Sequence, residues 1–128
     1  MSAGVARAIR AARNDDGFWD DFFDTVGAGP CDGGCLIFAD ALVFAFGGRL
    51  VSLARPCGGV DHYGIEIDGC WFDGDGASPS PQAWIARFTA LESVSWPLRL
   101  VPEYVANPEI PRDLAASRRI GALLAEFY

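Results

Sequence analysis

The chain has 128 residues, and its 10 basic and 17 acidic side chains give a net charge of −7 at neutral pH. This length suits one domain, and a hydrophobic content of 51% supplies enough apolar surface for a packed core. The negative charge disfavours direct binding to nucleic acid or to an anionic membrane surface, because both depend on basic residues. The longest apolar run, residues 35–48, is interrupted by Asp40 and is too short to span a bilayer.

The N-terminus carries three arginines in its first 13 residues but has neither the apolar segment nor the cleavage pattern of a secretory signal. We therefore expect a cytoplasmic location. In that compartment the four cysteines are expected to be free thiols rather than disulfides.

We expect one domain over residues 1–128 that begins with a helical part at about 3–26. Apolar residues recur at helical spacing over residues 3–13. Residues 14–17 break this helix, and residues 18–26 resume it with aromatic and aspartate side chains interleaved.

The centre of the domain, about residues 33–76, is predicted to hold a buried helix and a small sheet. Residues 27–34 form a glycine-rich loop, and the mostly apolar residues 35–46 form a helix that ends at Gly47 and Gly48. A helix that is apolar on all sides is typical of the middle of a domain.

Strands are predicted to follow this helix. Residues 49–55 form the first, and residues 62–67 and 70–73 form a hairpin joined by Asp68 and Gly69, a pair that favours a type I′ turn. Residues 56–61 and 74–80 are predicted to be loops.

The C-terminal part, about residues 81–127, is predicted to be mainly helical. Ser80 is an N-cap and Pro81 occupies the first position of a helix over residues 81–91. A strand near residues 98–101 and a closing helix over 111–127 complete an α+β domain.

Cys35 is the first candidate for chemistry. It stands at the start of the apolar helix, where the partial positive charge and free N–H groups of a helix N-terminus favour a thiolate. The same N–H groups suit an oxyanion hole. A small apolar residue that opens a core helix is the alternative interpretation.

His62 is the only histidine, so any mechanism that needs an imidazole depends on it. With a two-residue turn at 68–69, side-chain alternation places His62 and Asp73 on one face as diagonal neighbours across Gly64. A carboxylate there would orient the imidazole and stabilise its charged form. Asp75 is the competing third member, although its glycine neighbours are typical of a solvated turn.

The order of cysteine at a helix start, histidine on a strand and aspartate on the next strand resembles the papain-like cysteine enzymes in the broad sense. The transglutaminase and arylamine N-acetyltransferase branch is the most similar. The segments that carry the resemblance are GGCLIFADAL, DHYGIEI and CWFDGDG, within residues 33–76. The resemblance implies a papain-like fold in which a central helix carrying the cysteine packs on a small antiparallel sheet with flanking helices.

The resemblance also implies a hydrolase or acyltransferase that works through a thioacyl intermediate, without a cofactor. Cys35 would be the nucleophile, His62 the general base and Asp73 the orienting acid, acting on an amide or acyl substrate such as a protein. Papain-type enzymes commonly place Gln or Asn upstream of the cysteine, whereas only Asn14 precedes Cys35 here, so the oxyanion hole would use backbone N–H groups. The expected substrate-binding residues are Gly33, Gly34, Tyr63 and Asp75, and Asp32 and Trp71 are further candidates for the cleft lining.

Two other functions fit parts of the sequence. Cys31, Cys35, Cys57, Cys70 and His62 are soft ligands, but their spacing lacks the close pairs of structural zinc sites, so no metal is expected. The second alternative function is that of a small acidic binding protein or inhibitor, of the kind that phages encode. Its five aspartates within residues 15–24 would occupy a basic nucleic-acid-binding surface of a protein partner. A solvated helix face explains the same aspartates.

Overall fold

The computed structural model describes residues 2–30 and 33–128, and in this part three helices are followed by four strands, a helix, a strand and a last helix. The helices of this part are α1 (Ser2–Arg13), α2 (Asp16–Val26), α3 (Cys35–Phe46), α4 (Pro81–Leu91) and α5 (Leu114–Ala125). The strands are β1 (Arg49–Ala54), β2 (Val60–Ile67), β3 (Cys70–Asp73), β4 (Gly76–Ser78) and β5 (Arg99–Val101). The protein is therefore a mixed α+β fold, as the sequence predicts.

The strands form one antiparallel sheet in the order β4-β3-β2-β1-β5. Asp68 and Gly69 have φ angles of 51° and 77°, which is the pair of positive values that a type I′ turn requires. Ile67 pairs with Cys70 and Ile65 with Phe72, so the predicted register of this hairpin is confirmed.

Strand β4 corrects the prediction of a loop over residues 74–80. It is an edge strand of three residues that pairs Asp73 with Gly76 and Trp71 with Ser78. Its glycine and serine content is typical of a turn, and its pairing with β3 depends on contacts that a local pattern does not show.

The ends of several elements also differ from the predictions. Strand β2 begins at Val60 rather than at 62. Its pairing with β1 shifts register between Leu53 and Ala54. Helix α5 begins at Leu114 rather than at 111, because Asp113 caps it by accepting a hydrogen bond from the Ala116 N–H. Helix α2 begins at Asp16, two residues before the predicted start.

Helix α3 lies at the centre of the core, as its composition predicts. Every residue from Cys35 to Leu42 is buried, and the helix packs against α5, β1, β2 and β3. Gly121 of α5 permits close packing, because a Cβ atom there would lie 2.9 Å from the Ala41 carbonyl oxygen. No helix in the described part of the chain is both long enough and apolar enough to cross a membrane.

The aspartates of α2 lie mainly on its solvent-facing side. Phe18 and Phe22 are buried in the core, whereas Asp16, Asp20 and Asp24 are exposed. Asp15 is the N-cap and accepts a hydrogen bond from the Phe18 N–H. Core packing therefore accounts for Phe18 and Phe22, whereas Phe23 is exposed.

Helix α4 covers the sheet separately from the main core. Trp84 and Phe88 pack with Val51 and Leu53 of β1 in a smaller buried cluster. This position brings the inward face of α4 over His62 and Asp73, which is the part of the fold that matters for the site.

Candidate active site

Cys35 is the first residue of α3 and is 5% exposed. The preceding Gly34 is the N-cap, and its N–H donates to the Gly29 carbonyl at 3.0 Å. A Cβ atom at position 34 would lie 2.6 Å from that carbonyl oxygen, so only glycine allows the loop to approach the helix this closely. The thiol therefore lies beside the N–H groups of the first helical turn, which have no partners within the helix.

His62 and Asp73 are joined by a hydrogen bond of 2.8 Å between Nε2 and Oδ2. The two residues stand on β2 and β3 as the diagonal neighbours that the hairpin register predicts. Both are almost completely buried, with exposed fractions of 1% and 3%. Burial of a polar pair costs free energy unless its members are well hydrogen-bonded, so the surroundings of each group are informative.

The carboxylate of Asp73 accepts four hydrogen bonds. Oδ2 accepts from His62 and from Trp84 Nε1, the latter at 2.8 Å, and Oδ1 accepts from Arg87 Nη2 at 2.7 Å and the Asp75 N–H at 2.9 Å. Burial raises the pKa of Asp73. The hydrogen bond and charge of His62, the charge of Arg87 and the Trp84 hydrogen bond lower it by more, so the net pKa is below its usual value. Asp73 is therefore held ionised.

The imidazole of His62 is held in one orientation by its neighbours. Its ring stacks on the Phe88 ring, with centroids 4.2 Å apart and planes 14° apart. Burial is the largest influence on its pKa and lowers it. The hydrogen bond with Asp73, the nearby Cys35 and the charges of both outweigh burial and raise the pKa from 6.5 to about 9.

Because Nε2 of His62 faces Asp73, Nδ1 is the ring nitrogen left for the thiol. Cys35 is close enough to raise the pKa of the imidazole, yet Nδ1 makes no hydrogen bond of good geometry with any residue that the structure describes. The contact between Cys35 and His62 is thus looser than the one between His62 and Asp73. A buried polar atom without a partner is unusual in a folded protein.

The expected substrate-binding residues fall into different environments. Gly33 is half-buried with a φ of 99° just before the Cys35 helix, and Gly34 is buried there. Asp75 is half-buried, and its backbone donates to Asp73 and accepts from Arg13 Nη1 at 2.8 Å. Cys31 and Asp32 lie outside the described residues.

Tyr63 corrects the prediction that it lines a cleft. Its side chain has no exposed surface and belongs to the main core, and its hydroxyl donates to the Val105 carbonyl. Side-chain alternation along β2 explains this position, since Tyr63 points to the opposite face from His62. Trp71, also considered for the cleft, is half-buried and packs against the smaller cluster under α4.

Three site residues that the sequence analysis missed come from one face of α4. Trp84, Arg87 and Phe88 stand at i, i+3 and i+4, the spacing that puts side chains on a common helix face. Their spacing predicts a shared face, but the contact of this face with Asp73 depends on how the helix docks on the sheet.

The described cysteines form no metal-binding cluster with His62. Cys35, Cys57 and Cys70 are free thiols, and Cys57 is exposed. Within residues 2–30 and 33–128, no group of three or more histidine, cysteine, aspartate or glutamate side chains is arranged to hold a metal ion.

Comparison of the chain with protein-family models, with curated proteins and with solved structures gave no match. The geometry of the site is therefore the basis for assigning a function.

Proposed function

We propose that the protein is a cysteine-dependent hydrolase or acyltransferase with a papain-like architecture. The observation that carries the proposal is the position of His62. Its Nε2 is hydrogen-bonded to a buried carboxylate, and its ring lies near Cys35 at a helix N-terminus. A nucleophile, a base and a group that orients the base form the constellation that acyl transfer requires.

Protonation of His62 supports activation of the thiol. With a pKa of about 9 its imidazole carries a positive charge at neutral pH. A cation beside a cysteine stabilises the thiolate, which is the reactive form. Asp73 supports this charge and stays ionised throughout, because Arg87 and Trp84 also donate to it.

In the first half of the reaction, the Cys35 thiolate would attack the substrate carbonyl carbon and form a carbon–sulfur bond. The carbonyl oxygen would become an oxyanion that accepts hydrogen bonds from N–H groups at the start of α3. The bond to the leaving amine or alcohol then breaks, and His62 donates its Nδ1 proton to the leaving group. A thioacyl enzyme and a neutral imidazole remain.

In the second half, water or another acyl acceptor would attack the thioester. His62 would take the proton of the attacking group at Nδ1, and the carbon–sulfur bond would break to restore the thiolate and the imidazolium. Hydrolysis and acyl transfer differ only in the acceptor, and both use the same residues.

The pH dependence of Cys35 alkylation tests this assignment. The alkylation rate of an ordinary thiol falls about 50-fold between pH 8.5 and pH 6.5, because the thiolate is lost below a pKa of about 8.5. We expect the rate at Cys35 to fall less steeply over this range than the rate at an ordinary thiol, because the His62 imidazolium lies beside it. Iodoacetamide labelling followed by peptide mass mapping gives the rate at each cysteine.

Cys57 is exposed and serves as the reference thiol within the same molecule. His62→Gln should make the two profiles parallel, and Asp73→Asn should shift the profile of Cys35 in the same direction. Parallel profiles in the wild type, or a flat Cys35 profile that survives His62→Gln, would eliminate the triad.

A further inference from the structure

A polar pocket of about 190 Å³ lies between the end of α1, the turn that joins β3 to β4, and α4. Its lining consists of two alanines, a glycine, one aspartate and three arginines: Ala6, Ala77, Gly76, Asp75, Arg10, Arg13 and Arg87. Three guanidinium groups gathered around one space are unexpected in a chain whose net charge is −7.

Two of the arginines approach the pocket beside Gly76. A Cβ atom placed on Gly76 would lie 3.9 Å from Nη1 of Arg87 and 4.0 Å from Nη1 of Arg13. The φ angle of Gly76 is 125°, a conformation that favours glycine, so this space between the two guanidinium groups stays open. Arg10 stands one helical turn before Arg13 and lines the same pocket.

Backbone carbonyl groups hold the two guanidinium groups in place. Arg13 Nη1 donates to the Asp75 carbonyl at 2.8 Å, and Arg87 donates to the carbonyls of Ala77 at 3.1 Å and Gly76 at 3.3 Å. Carbonyl oxygens orient a guanidinium without neutralising its charge. The groups are therefore preorganised and still cationic.

Among the described residues that line the pocket or bond its arginines, carboxylates are fewer than arginines. Asp73 bonds Arg87 but also bonds His62, so its single negative charge is shared between two cationic partners. Asp75 is the one carboxylate among the lining residues, against three arginines. Nε of Arg87 is buried and has no hydrogen-bond partner among the residues that the structure describes. Water screens the repulsion between the exposed guanidinium groups, and an anion bound between them lowers it further.

We infer that this pocket binds a tetrahedral, doubly charged oxyanion, either free phosphate or the phosphate group of a monoester. Guanidinium groups match phosphate oxygens through paired N–H donors. The pocket has room for roughly six water molecules at about 30 Å³ each, so a phosphate group fits without a change in the fold. The inference does not depend on the chemistry of Cys35.

Amide chemical shifts test the inference directly. The probes are inorganic phosphate and phenyl phosphate, titrated into the full chain at pH 7, with sodium chloride at equal ionic strength as the reference. We expect saturable shifts of the Gly76 and Ala77 amides with phosphate and none with chloride. Saturation by phenyl phosphate as well would identify a monoester site, and saturation by phosphate alone would identify a site for the free ion.

Arg10→Gln and Arg13→Gln should each weaken phosphate binding about tenfold, as expected for loss of a charge-assisted hydrogen bond. Arg7→Gln is the matched control, because it removes the same charge from an exposed position of α1 that does not line the pocket. Arg87 is left unchanged because it also bonds Asp73. Equal weakening by Arg7→Gln, or shifts that chloride reproduces, would overturn the inference.

Discussion

Substitution of Asp73 by asparagine probes the buried hydrogen-bond network with the least change in shape. Asp73 accepts from His62 and Trp84 at one oxygen and from Arg87 and the Asp75 N–H at the other. Asparagine has one acceptor and one donor, so in either orientation its NH₂ faces two other donors. Removal of one charge from a buried pair costs about 3–5 kcal/mol. We expect Asp73→Asn to lower the free energy of unfolding by that amount at pH 6.

The same substitution should change how stability depends on pH. The pKa of His62 is about 9 in the folded protein, compared with 6.5 in a model peptide. A raised pKa means that the protonated imidazole stabilises the fold below pH 6.5, and this contribution is lost as the pH rises through about 9. At 1.36 kcal/mol per pH unit, the wild type should lose about 3 kcal/mol between pH 6 and pH 9. Without Asp73, burial acts against the charged ring and most of this loss should disappear.

Urea denaturation followed by tryptophan fluorescence at pH 6, 7.5 and 9 measures both effects. Asp68→Asn is the control, because Asp68 is exposed and its positive φ suits asparagine, so this variant should keep the wild-type pH dependence. Stability curves for Asp73→Asn that run parallel to those of the wild type would refute the reasoning.

Three other substitutions test the contacts around the site by urea denaturation. Trp84→Phe removes the indole N–H from Asp73 and should cost about 1.5–3 kcal/mol, as for a hydrogen bond to a charged group; wild-type stability would show that this bond contributes nothing. Gly64→Ala would bring a Cβ atom within 2.6 Å of the Trp84 ring and should cost about 1–3 kcal/mol, and an unchanged midpoint would contradict that packing. Arg112→Gln leaves the buried carboxylate of Asp40 without its two hydrogen bonds and should cost about 1–3 kcal/mol, whereas an equally stable variant would mean that water replaces the arginine.

Local sequence patterns were sufficient to predict most of the fold. The Asp68–Gly69 turn sets the register of its hairpin, because two residues with positive φ leave one pairing of the flanking strands. Ser80 and Pro81 mark the start of α4, since the serine side chain caps the Ala83 N–H. Strand β4 was missed because three residues carry no periodic signal and form a strand only by pairing with β3.

Only the part of the candidate site that is formed by residues close in sequence could be predicted. His62 and Asp73 lie on adjacent strands of one hairpin, so side-chain alternation was enough to pair them. The contacts of Trp84 and Arg87 with Asp73 depend on how α4 docks on the sheet, which no local pattern specifies. Strand alternation also places Tyr63 on the face opposite His62, and its contacts there are with Tyr104 and Val105, which are distant in the chain.

Capture of a thioacyl intermediate on Cys35 tests the central claim most directly. The protein would be incubated with p-nitrophenyl acetate, quenched in acid and mapped by peptide mass spectrometry, with Cys35→Ala as the negative control and Cys57→Ala to remove the exposed thiol. We expect acetylation of Cys35, with a burst of nitrophenol that His62→Gln abolishes while the fold persists. Acetylation confined to Cys57, or equal acetylation of Cys35 in His62→Gln, would contradict it and favour a non-catalytic acidic binding protein.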